Sequence, residues 1–155
     1  MRPRYLLFVA MCAFVSGCVG LARYDDNTYK SITALKGEVK VFMDDCGTKG
    51  ASGDKAATSL DGFRVKLSQS YEYEAGKSSN SETISQMKTL SSLFNEAYDR
   101  YSKNKIAGDL CVEKASTEPA NVSSGCLSKG YCSGKSKVME TAFDIAISTE
   151  ALKNK

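Results

Sequence analysis

The sequence predicts an all-α protein, an antiparallel four-helix bundle. Apolar residues recur at steps of three and four in four separate stretches, which is the pattern of helices with one buried face. Glycine-rich breaks separate the first three stretches, and short connections make consecutive helices antiparallel neighbours. No stretch shows a strand pattern of any strength. The helices are expected at about 25–46, 54–75, 81–104 and 135–152.

The first helix is predicted to begin at Asp25, Asp26 or Asn27. These residues cap helix starts, and their acidic members suit the positive end of the helix dipole. Its apolar stripe consists of Tyr29, Ile32, Leu35, Val39, Phe42, Met43 and Cys46. The segment GTKGASG at 47–53 holds three glycines and is expected to end the helix in a turn.

The second and third helices are predicted from the same periodicity. The second stripe is apolar until its last turn and consists of Ala57, Leu60, Phe63, Leu67, Tyr71 and Glu74. The segment GKSSN at 76–80 follows, with a glycine placed to end the helix and Asn80 or Ser81 placed to cap the next one. The third stripe consists of Ile84, Met87, Leu90, Ser91, Phe94, Ala97, Tyr98 and Tyr101.

The segment 106–134 interrupts the helical pattern. It carries one proline, four glycines and three cysteines, and no stripe persists through it. Long ordered loops in compact domains are uncommon and usually functional, so we expect a long disulfide-braced loop here. The last helix follows, with one apolar face of Val138, Ala142, Ile145, Ala146 and Leu152 that Met139, Phe143 and Ile147 widen.

The amino-terminal residues form a leader of three parts. Arg2 and Arg4 precede an apolar run at 5–15, and two small residues follow it. The run is about a dozen residues long, whereas a membrane-spanning helix needs roughly 20. The tetrapeptide Val15-Ser16-Gly17-Cys18 resembles a lipobox of bacterial lipoproteins. The alternative is an ordinary secretory leader in which the cysteine stands by coincidence.

The lipobox resemblance implies a mature protein that begins with Cys18. Its sulfur would carry a diacylglycerol, with a further acyl chain such as palmitate on the new amino terminus, and several chains together anchor stably. The resemblance implies a signal peptide at 1–17, a lipidated tether at 18–24 and a bundle domain at 25–155. Val19 stands where an aspartate would favour inner-membrane retention. The resemblance therefore implies an envelope lipoprotein of the outer rather than the inner membrane.

A second resemblance covers the first and last helices. The pattern YD-x-x-T-Y-K at 24–30 and the block AFDIAISTEALKNK at 142–155 are similar to a group of small, uncharacterised helical bacterial lipoproteins. The resemblance to that group implies no molecular activity. The cysteine-rich segment 106–134 is where this chain departs from the group.

Composition excludes several functional classes. Loss of residues 1–17 would lower Lys plus Arg from 21 to 19 and leave Asp plus Glu at 18, a balance of +1. A charge balance this close to zero does not predict nucleic-acid binding, which requires a clustered basic face. The chain has no histidine, and so has no imidazole base, histidine metal ligand or Ser-His or Cys-His pair. We therefore predict no enzyme, no catalytic residue and no cofactor.

Four cysteines remain after Cys12 leaves with the leader and Cys18 takes the lipid. They are Cys46, Cys111, Cys126 and Cys132, an even number in an oxidising compartment, which predicts two disulfides. The first helix ends at Cys46, and the up-down-up-down topology brings the segment 106–134 to that same membrane-distal end.

The pairing of these cysteines has three possibilities. The first helix neighbours the fourth in such a bundle, which favours Cys46 with Cys132 and Cys111 with Cys126. The runner-up joins Cys46 to Cys111 and Cys126 to Cys132. A zinc site is the sharper alternative, but the spacing lacks C-x-x-C and an oxidising compartment opposes free thiolates, so we predict no metal.

Two acidic pairs and four tyrosines are further candidate site residues. The acidic pairs are Asp44 with Asp45 and Glu72 with Glu74. They could serve in acid–base chemistry or cation binding, but both lie near helix ends beside glycine turns, so we favour a solvated surface role. A stacking or sugar-binding surface competes with core packing at Tyr71, Tyr73, Tyr98 and Tyr101. Core packing is favoured for all but Tyr73, which lies off the stripe and is expected to be exposed.

These observations predict a non-enzymatic envelope lipoprotein, anchored through lipid on Cys18, with a structural or partner-binding role. The expected contact surface is the cap, defined as residues 106–134 with the turn 47–53. Functional residues concentrate on loops that a rigid scaffold holds. The expected partner is another envelope protein, peptidoglycan or an incoming macromolecule, and not nucleic acid. The alternatives are a hydrolase that acts on the cell wall and a small-ligand carrier that uses a cavity in the bundle.

Overall fold

The protein is an all-α four-helix bundle, as the sequence predicts. The computed structural model describes residues 23–107, 110–113 and 125–153. The leader, the lipobox and Cys18 lie outside these residues. The helices are α1 (Asp26–Lys49), α2 (Gly53–Ala75), α3 (Ser81–Lys103) and α4 (Lys129–Leu152).

Consecutive helices run antiparallel, and α1 closes the bundle against α4. The disulfide between Cys46 and Cys132 joins the end of α1 to the start of α4. At the other end of the same two helices, the backbone N–H of Asp25 donates to Oε1 of Glu150 at 2.8 Å. The packing is uneven, because α1 lies mainly on α4 and α2 mainly on α3, while α1 and α2 touch less.

The core is one apolar cluster to which all four helices contribute. Four phenylalanine rings cross it in a chain of edge contacts, with centroids 5.6 Å apart from Phe42 to Phe63, 5.5 Å from Phe63 to Phe94 and 6.3 Å from Phe94 to Phe143. Such edge-to-face geometry adds to the stabilisation from apolar burial. The buried aliphatic positions include Ile32, Leu35, Val39, Met43, Leu60, Leu67, Met87, Leu90 and Met139.

Four short strands lie in the cap and directly before it, where the sequence predicts none. They are β1 (Ala51–Ser52), β2 (Asn104–Ala107), β3 (Leu110–Glu113) and β4 (Cys126–Leu127). β1 pairs with β4, and β2 pairs with β3, both antiparallel. The strands are two to four residues long, too short to show alternation in the sequence, and pairing between distant segments forms β1 and β4.

The fourth helix begins at Lys129, earlier than the expected position 135, so that part of the predicted loop is helical. Ser128 caps it, and its side chain accepts from the backbone N–H of Tyr131 at 3.2 Å. Two glycines in the first turns, Gly130 and Gly134, favour a loop by propensity. Cys132 overrides that preference, because it is fully buried and bonded to α1.

Candidate functional site

The structure joins Cys46 to Cys132 and Cys111 to Cys126, which is the pairing that the sequence favours over the runner-up. The Cα atoms lie 5.7 Å and 5.8 Å apart, the usual separation in disulfides. The first bond ties α1 to α4, and the second ties the β2–β3 hairpin to β4. These four cysteines therefore brace one end of the bundle, the end that carries the cap.

Tyr101 and Gly125 pack the cap onto the bundle. The Tyr101 hydroxyl donates to the carbonyl of Gly53 at 2.9 Å, and the side chain is buried. Burial, with a smaller contribution from Asp54, raises the pKa of Tyr101. A Cβ atom at position 125 would collide with the carbonyl oxygen and the ring of Tyr101. The close approach of these two backbones therefore requires glycine.

The β2–β3 hairpin presents apolar side chains to solvent. Leu110 is 68% exposed and Ile106 is 46% exposed, although both are large aliphatic residues. Ile106 pairs with Cys111 in the register, and Ala107 pairs with Leu110, so the two exposed side chains belong to opposite faces of the hairpin. Residues 108–109 and 114–124 of the cap lie outside the described residues.

The opposite end of the bundle, here called the polar end, contains a buried ionic network. Glu74 is fully buried, so the predicted surface role of this carboxylate is wrong. Its carboxylate accepts from Thr28 Oγ1, from Asn80 Nδ2 and from Lys77 Nζ, the last at 2.5 Å. These partners replace the water that a carboxylate loses on burial. Glu72 is exposed, as predicted.

Glu150 is the second fully buried carboxylate of the polar end. Lys153 Nζ donates to its Oε2 at 2.6 Å, and Thr83 Oγ1 donates to the same oxygen at 3.1 Å. Asn80 bridges the two carboxylates, because its Nδ2 donates to Glu74 while its Oδ1 accepts from Lys153 at 2.5 Å. The network therefore connects all four helices through hydrogen-bonded charges.

Asp25 completes the polar end as the N-cap of α1. Its Oδ1 accepts from the backbone N–H of Asn27 at 2.8 Å, and its Oδ2 lies 2.8 Å from Lys77 Nζ and accepts from the Tyr73 hydroxyl. The hydrogen bond from Lys77 is the largest of the contacts that hold the pKa of Asp25 well below its usual range. Burial acts to lower the pKa of Lys77, but its bonds to Asp25 and Glu74 raise it on balance.

Two signals in the sequence could have pointed to this network. Glu74 continues the apolar stripe of α2, and Glu150 lies four residues after the core residue Ala146. A carboxylate on the buried face of a helix needs a partner, and Lys77 and Lys153 each follow their glutamate by three residues. The position of Glu74 near a helix end, beside the turn at Gly76, instead predicts a place for it on the surface.

The remaining candidate residues lie at the surface or at its edge. Asp44 pairs with Lys40 at 3.0 Å and Asp45 with Lys49 at 2.9 Å, all four largely exposed, which confirms the surface role. Tyr73 is 50% exposed, as predicted. The other tyrosines pack at least partly into the bundle, and Arg64 lies 4.2 Å from the Tyr98 ring centroid.

Open clefts follow two of the helix interfaces. One between α1 and α2, at the polar end, has a volume of about 390 Å³, and another between α2 and α3 has about 250 Å³. Within 23–107, 110–113 and 125–153, no cluster of three or more His, Cys, Asp or Glu side chains forms a metal site. The same described residues include no helix long and apolar enough to cross a bilayer.

Comparison with known proteins identifies no relative. No family model, no curated protein and no solved structure matches the chain.

Proposed function

We propose that the protein is a non-enzymatic lipoprotein of the bacterial envelope, anchored through Cys18, that binds a partner protein with its cap. The observation that carries the proposal is the contrast within the cap. Two disulfides and Tyr101 fix its base, while Leu110 and Ile106 project large aliphatic side chains into solvent. The two side chains lie on opposite faces of the hairpin, and each offers an aliphatic anchor on a loop that a rigid scaffold holds, which is where binding residues concentrate.

Rigidity and apolarity together favour a protein partner over peptidoglycan at this surface. A braced loop loses little conformational entropy when it binds, so more of the contact energy becomes affinity. Buried apolar side chains at the centre of an interface carry much of that energy. A glycan strand offers mainly hydroxyl and amide groups, which match Leu110 and Ile106 poorly.

The anchoring proposal rests on the lipobox and on the direction of α1. Residue 18 precedes Asp25 by seven positions, so the lipid would lie within roughly 25 Å of the polar end. The cap lies at the other end of α1, whose 24 residues span about 36 Å. A lipid on Cys18 would therefore direct the cap away from the membrane. Val19 favours the outer membrane.

Metabolic labelling tests the anchor. Cells that express the full chain are grown with labelled palmitate and separated into membrane and soluble fractions. The native protein is expected to carry the label and to sediment with membranes, while Cys18→Ser loses both properties. Cys12→Ser is the matched control, because it alters a leader thiol outside the lipobox. Equal labelling of native protein and Cys18→Ser would overturn the anchor.

Substitution on the hairpin tests the contact surface. Leu110→Asp replaces an exposed aliphatic side chain with a charge, and Val41→Asp makes the same change at a residue on α1 that is 71% exposed. After mild crosslinking of intact cells and isolation of the protein, the partner is identified by mass spectrometry. We expect recovery of the partner to fall about tenfold for Leu110→Asp and to stay unchanged for Val41→Asp. Equal recovery from both variants would refute the cap as the contact surface.

No acid–base role is assigned to the two glutamates of the polar end. Lys77 and Lys153 engage their carboxylates, and Asn80 contacts both Glu74 and Lys153. A general acid or base must present an oxygen to substrate, and these oxygens already have protein partners. The hydrolase alternative therefore gains no candidate residue from this network.

A further inference from the structure

The cleft between α1 and α2 is a second candidate binding site, at the opposite end from the cap. It lies in the half of the α1–α2 interface nearer the polar end, where Asn27 and Ser31 of α1 and Gln69 and Tyr73 of α2 line it. The Phe42–Phe63 contact joins them in the half nearer the cap, and Lys66 bonds to Glu38 at 2.5 Å at the cleft margin. We propose that this cleft binds a short saccharide, with Tyr73 as the platform on which a sugar ring stacks.

Tyr73 has the features of a stacking platform. The ring is half exposed and lines the cleft, and its hydroxyl donates to Asp25 Oδ2 at 2.8 Å. Lys77 Nζ lies over the ring, 4.1 Å from its centroid. An aromatic side chain held at its tip and on one face loses little further freedom when a ligand packs on it. The ring can therefore receive the apolar face of a sugar at low entropic cost.

The walls of the cleft supply hydrogen-bonding groups without charge. Asn27, Ser31 and Gln69 line it, and among the described residues no hydrogen bond engages their side chains. Amides and a hydroxyl offer both donors and acceptors, which is what a ring of hydroxyl groups requires. These groups favour a hydroxyl-rich ligand over an apolar one.

The floor of the cleft is polar but already satisfied. Thr28 and Glu74 line it, both are buried, and they bond to each other. Lys77 is shared between Glu74 and Asp25, and Lys66 at the margin is paired with Glu38. Neither lysine is free to bind an anion, and the Glu74 oxygens already have protein partners, which favours a neutral sugar over a phosphate or a cation.

The dimensions suit two sugar rings. The volume of about 390 Å³ falls in the range of small-molecule sites. From Lys66 to Tyr73 the axis of α2 advances about 10 Å, at a rise of about 1.5 Å per residue. Within the proposed bacterial envelope, such a saccharide could come from a peptidoglycan strand or from a glycolipid headgroup, which share hexosamine chemistry.

Calorimetric titration tests the proposal with the protein isolated from cells that express the full chain, without reductant. The probe is the disaccharide of N-acetylglucosamine. Tyr73→Ala removes the platform, Tyr73→Phe keeps the ring, and Ser31→Trp fills the cleft from an exposed position of α1. Tyr71→Ala is the matched control, because Tyr71 lines the α2–α3 cleft instead. Thermal melting verifies that each variant is folded.

We expect the disaccharide to bind the native protein. Tyr73→Ala and Ser31→Trp should each lower the affinity at least about tenfold. Tyr73→Phe and Tyr71→Ala should each bind with an affinity within about threefold of the native value. Soluble peptidoglycan fragments and glycolipid vesicles then separate the two sources. Absence of binding by all three probes, or binding that a folded Ser31→Trp leaves unchanged, would overturn the proposal. Leu110→Asp must leave this affinity intact, so the result is independent of the partner proposed for the cap.

Discussion

The two ends of the bundle are stabilised by different chemistry. At the cap, the Cys46–Cys132 disulfide joins α1 to α4 and the Cys111–Cys126 disulfide ties the β2–β3 hairpin to β4, with Tyr101 packed beneath them. At the polar end, Glu74 and Glu150 are buried and reach all the helices through hydrogen bonds and ion pairs. Reductant should therefore lower the stability of the cap end, and a change in pH should alter the stability of the polar end.

The difference also separates two kinds of exposed surface. The disulfide-braced end displays aliphatic side chains on a short hairpin, whereas the polar end borders a cleft with amide, hydroxyl and aromatic walls. The Cys111–Cys126 disulfide fixes the hairpin that exposes Leu110. The ionic network fixes Tyr73 and the floor of the cleft, so each end supports the surface that it carries.

Removal of the inter-helix disulfide should have the largest effect. We expect Cys46→Ala with Cys132→Ala to lower the free energy of unfolding by about 4 kcal/mol, because the bond closes a long loop in the unfolded chain. Guanidinium unfolding measures this, and Cys111→Ala with Cys126→Ala, whose separation is 15 residues, should cost about 3 kcal/mol. A larger loss from the second pair would contradict the expectation that the disulfide with the longer sequence separation, 86 residues, stabilises more.

Loss of a buried carboxylate tests the polar end. Glu74→Ala should lower the free energy of unfolding by about 3 kcal/mol, because Lys77, Thr28 and Asn80 lose their common partner. Glu72→Ala is the control on the same turn, and its exposed side chain predicts a change within about 0.5 kcal/mol. Similar unfolding midpoints for the two variants would show that the network contributes little.

Tight packing under the cap predicts a strong effect at one glycine. Gly125→Ala should cost about 2 kcal/mol, because a Cβ there collides with Tyr101. Gly37→Ala is the control, since a Cβ added at this helical position meets nothing within 4 Å, and it should stabilise by up to about 1 kcal/mol. Denaturant unfolding gives the free energy of unfolding of both variants. An unchanged value for Gly125→Ala would show that the cap shifts locally to make room for the added methyl group.

The pH response should be the smallest effect and should come from the polar end. The pKa of Asp25 is lower in the folded protein than its ordinary value of 3.8, so its contribution to stability is present above that value and is lost as pH falls below it. Asp25→Asn keeps the cap oxygen but loses the charge beside Lys77, and should cost about 1 kcal/mol at pH 7.

The control for that prediction is Asp26→Asn, which alters an exposed pair with Lys30. Unfolding of native protein and both variants from pH 7 to pH 2 gives the comparison. The difference between native protein and Asp25→Asn should shrink as the pH falls below about 4. A difference that stays constant with pH would remove Asp25 from the acid response.

The predicted apolar face of α4 is wrong in part. Val138, Ile145 and Leu152 are exposed, whereas Met139 and Phe143, which were expected only to widen that face, are buried.

The sequence predicts the other three helices well because their burial is periodic. Ile32, Leu60 and Leu90 lie on stripes that the structure buries, and the turn at 76–80 falls where its glycine predicts. The bundle topology is also sufficient to favour the disulfide pairing that the structure contains. These features follow from local spacing and from helix order, both of which are visible in one chain.

The remaining features depend on contacts between distant segments. The strand pair β1–β4 joins residues that are about 75 positions apart, and neither strand is long enough to show a pattern. The start of α4 is decided by Cys132 rather than by the propensity of its glycines. The walls of the cleft come from residues of α1 and α2 that are about 40 positions apart. The helix and strand propensities of single residues do not predict these contacts between distant segments.

Site-specific photocrosslinking in intact cells tests the central claim most directly. A photoreactive amino acid replaces Leu110 in one variant and Val41 in another, and both positions are largely exposed. We predict one discrete envelope-protein adduct from position 110, of constant mass between preparations, and none from position 41. Adducts from position 41 but not from position 110 would place the partner on the side of α1 and contradict the cap as the contact surface.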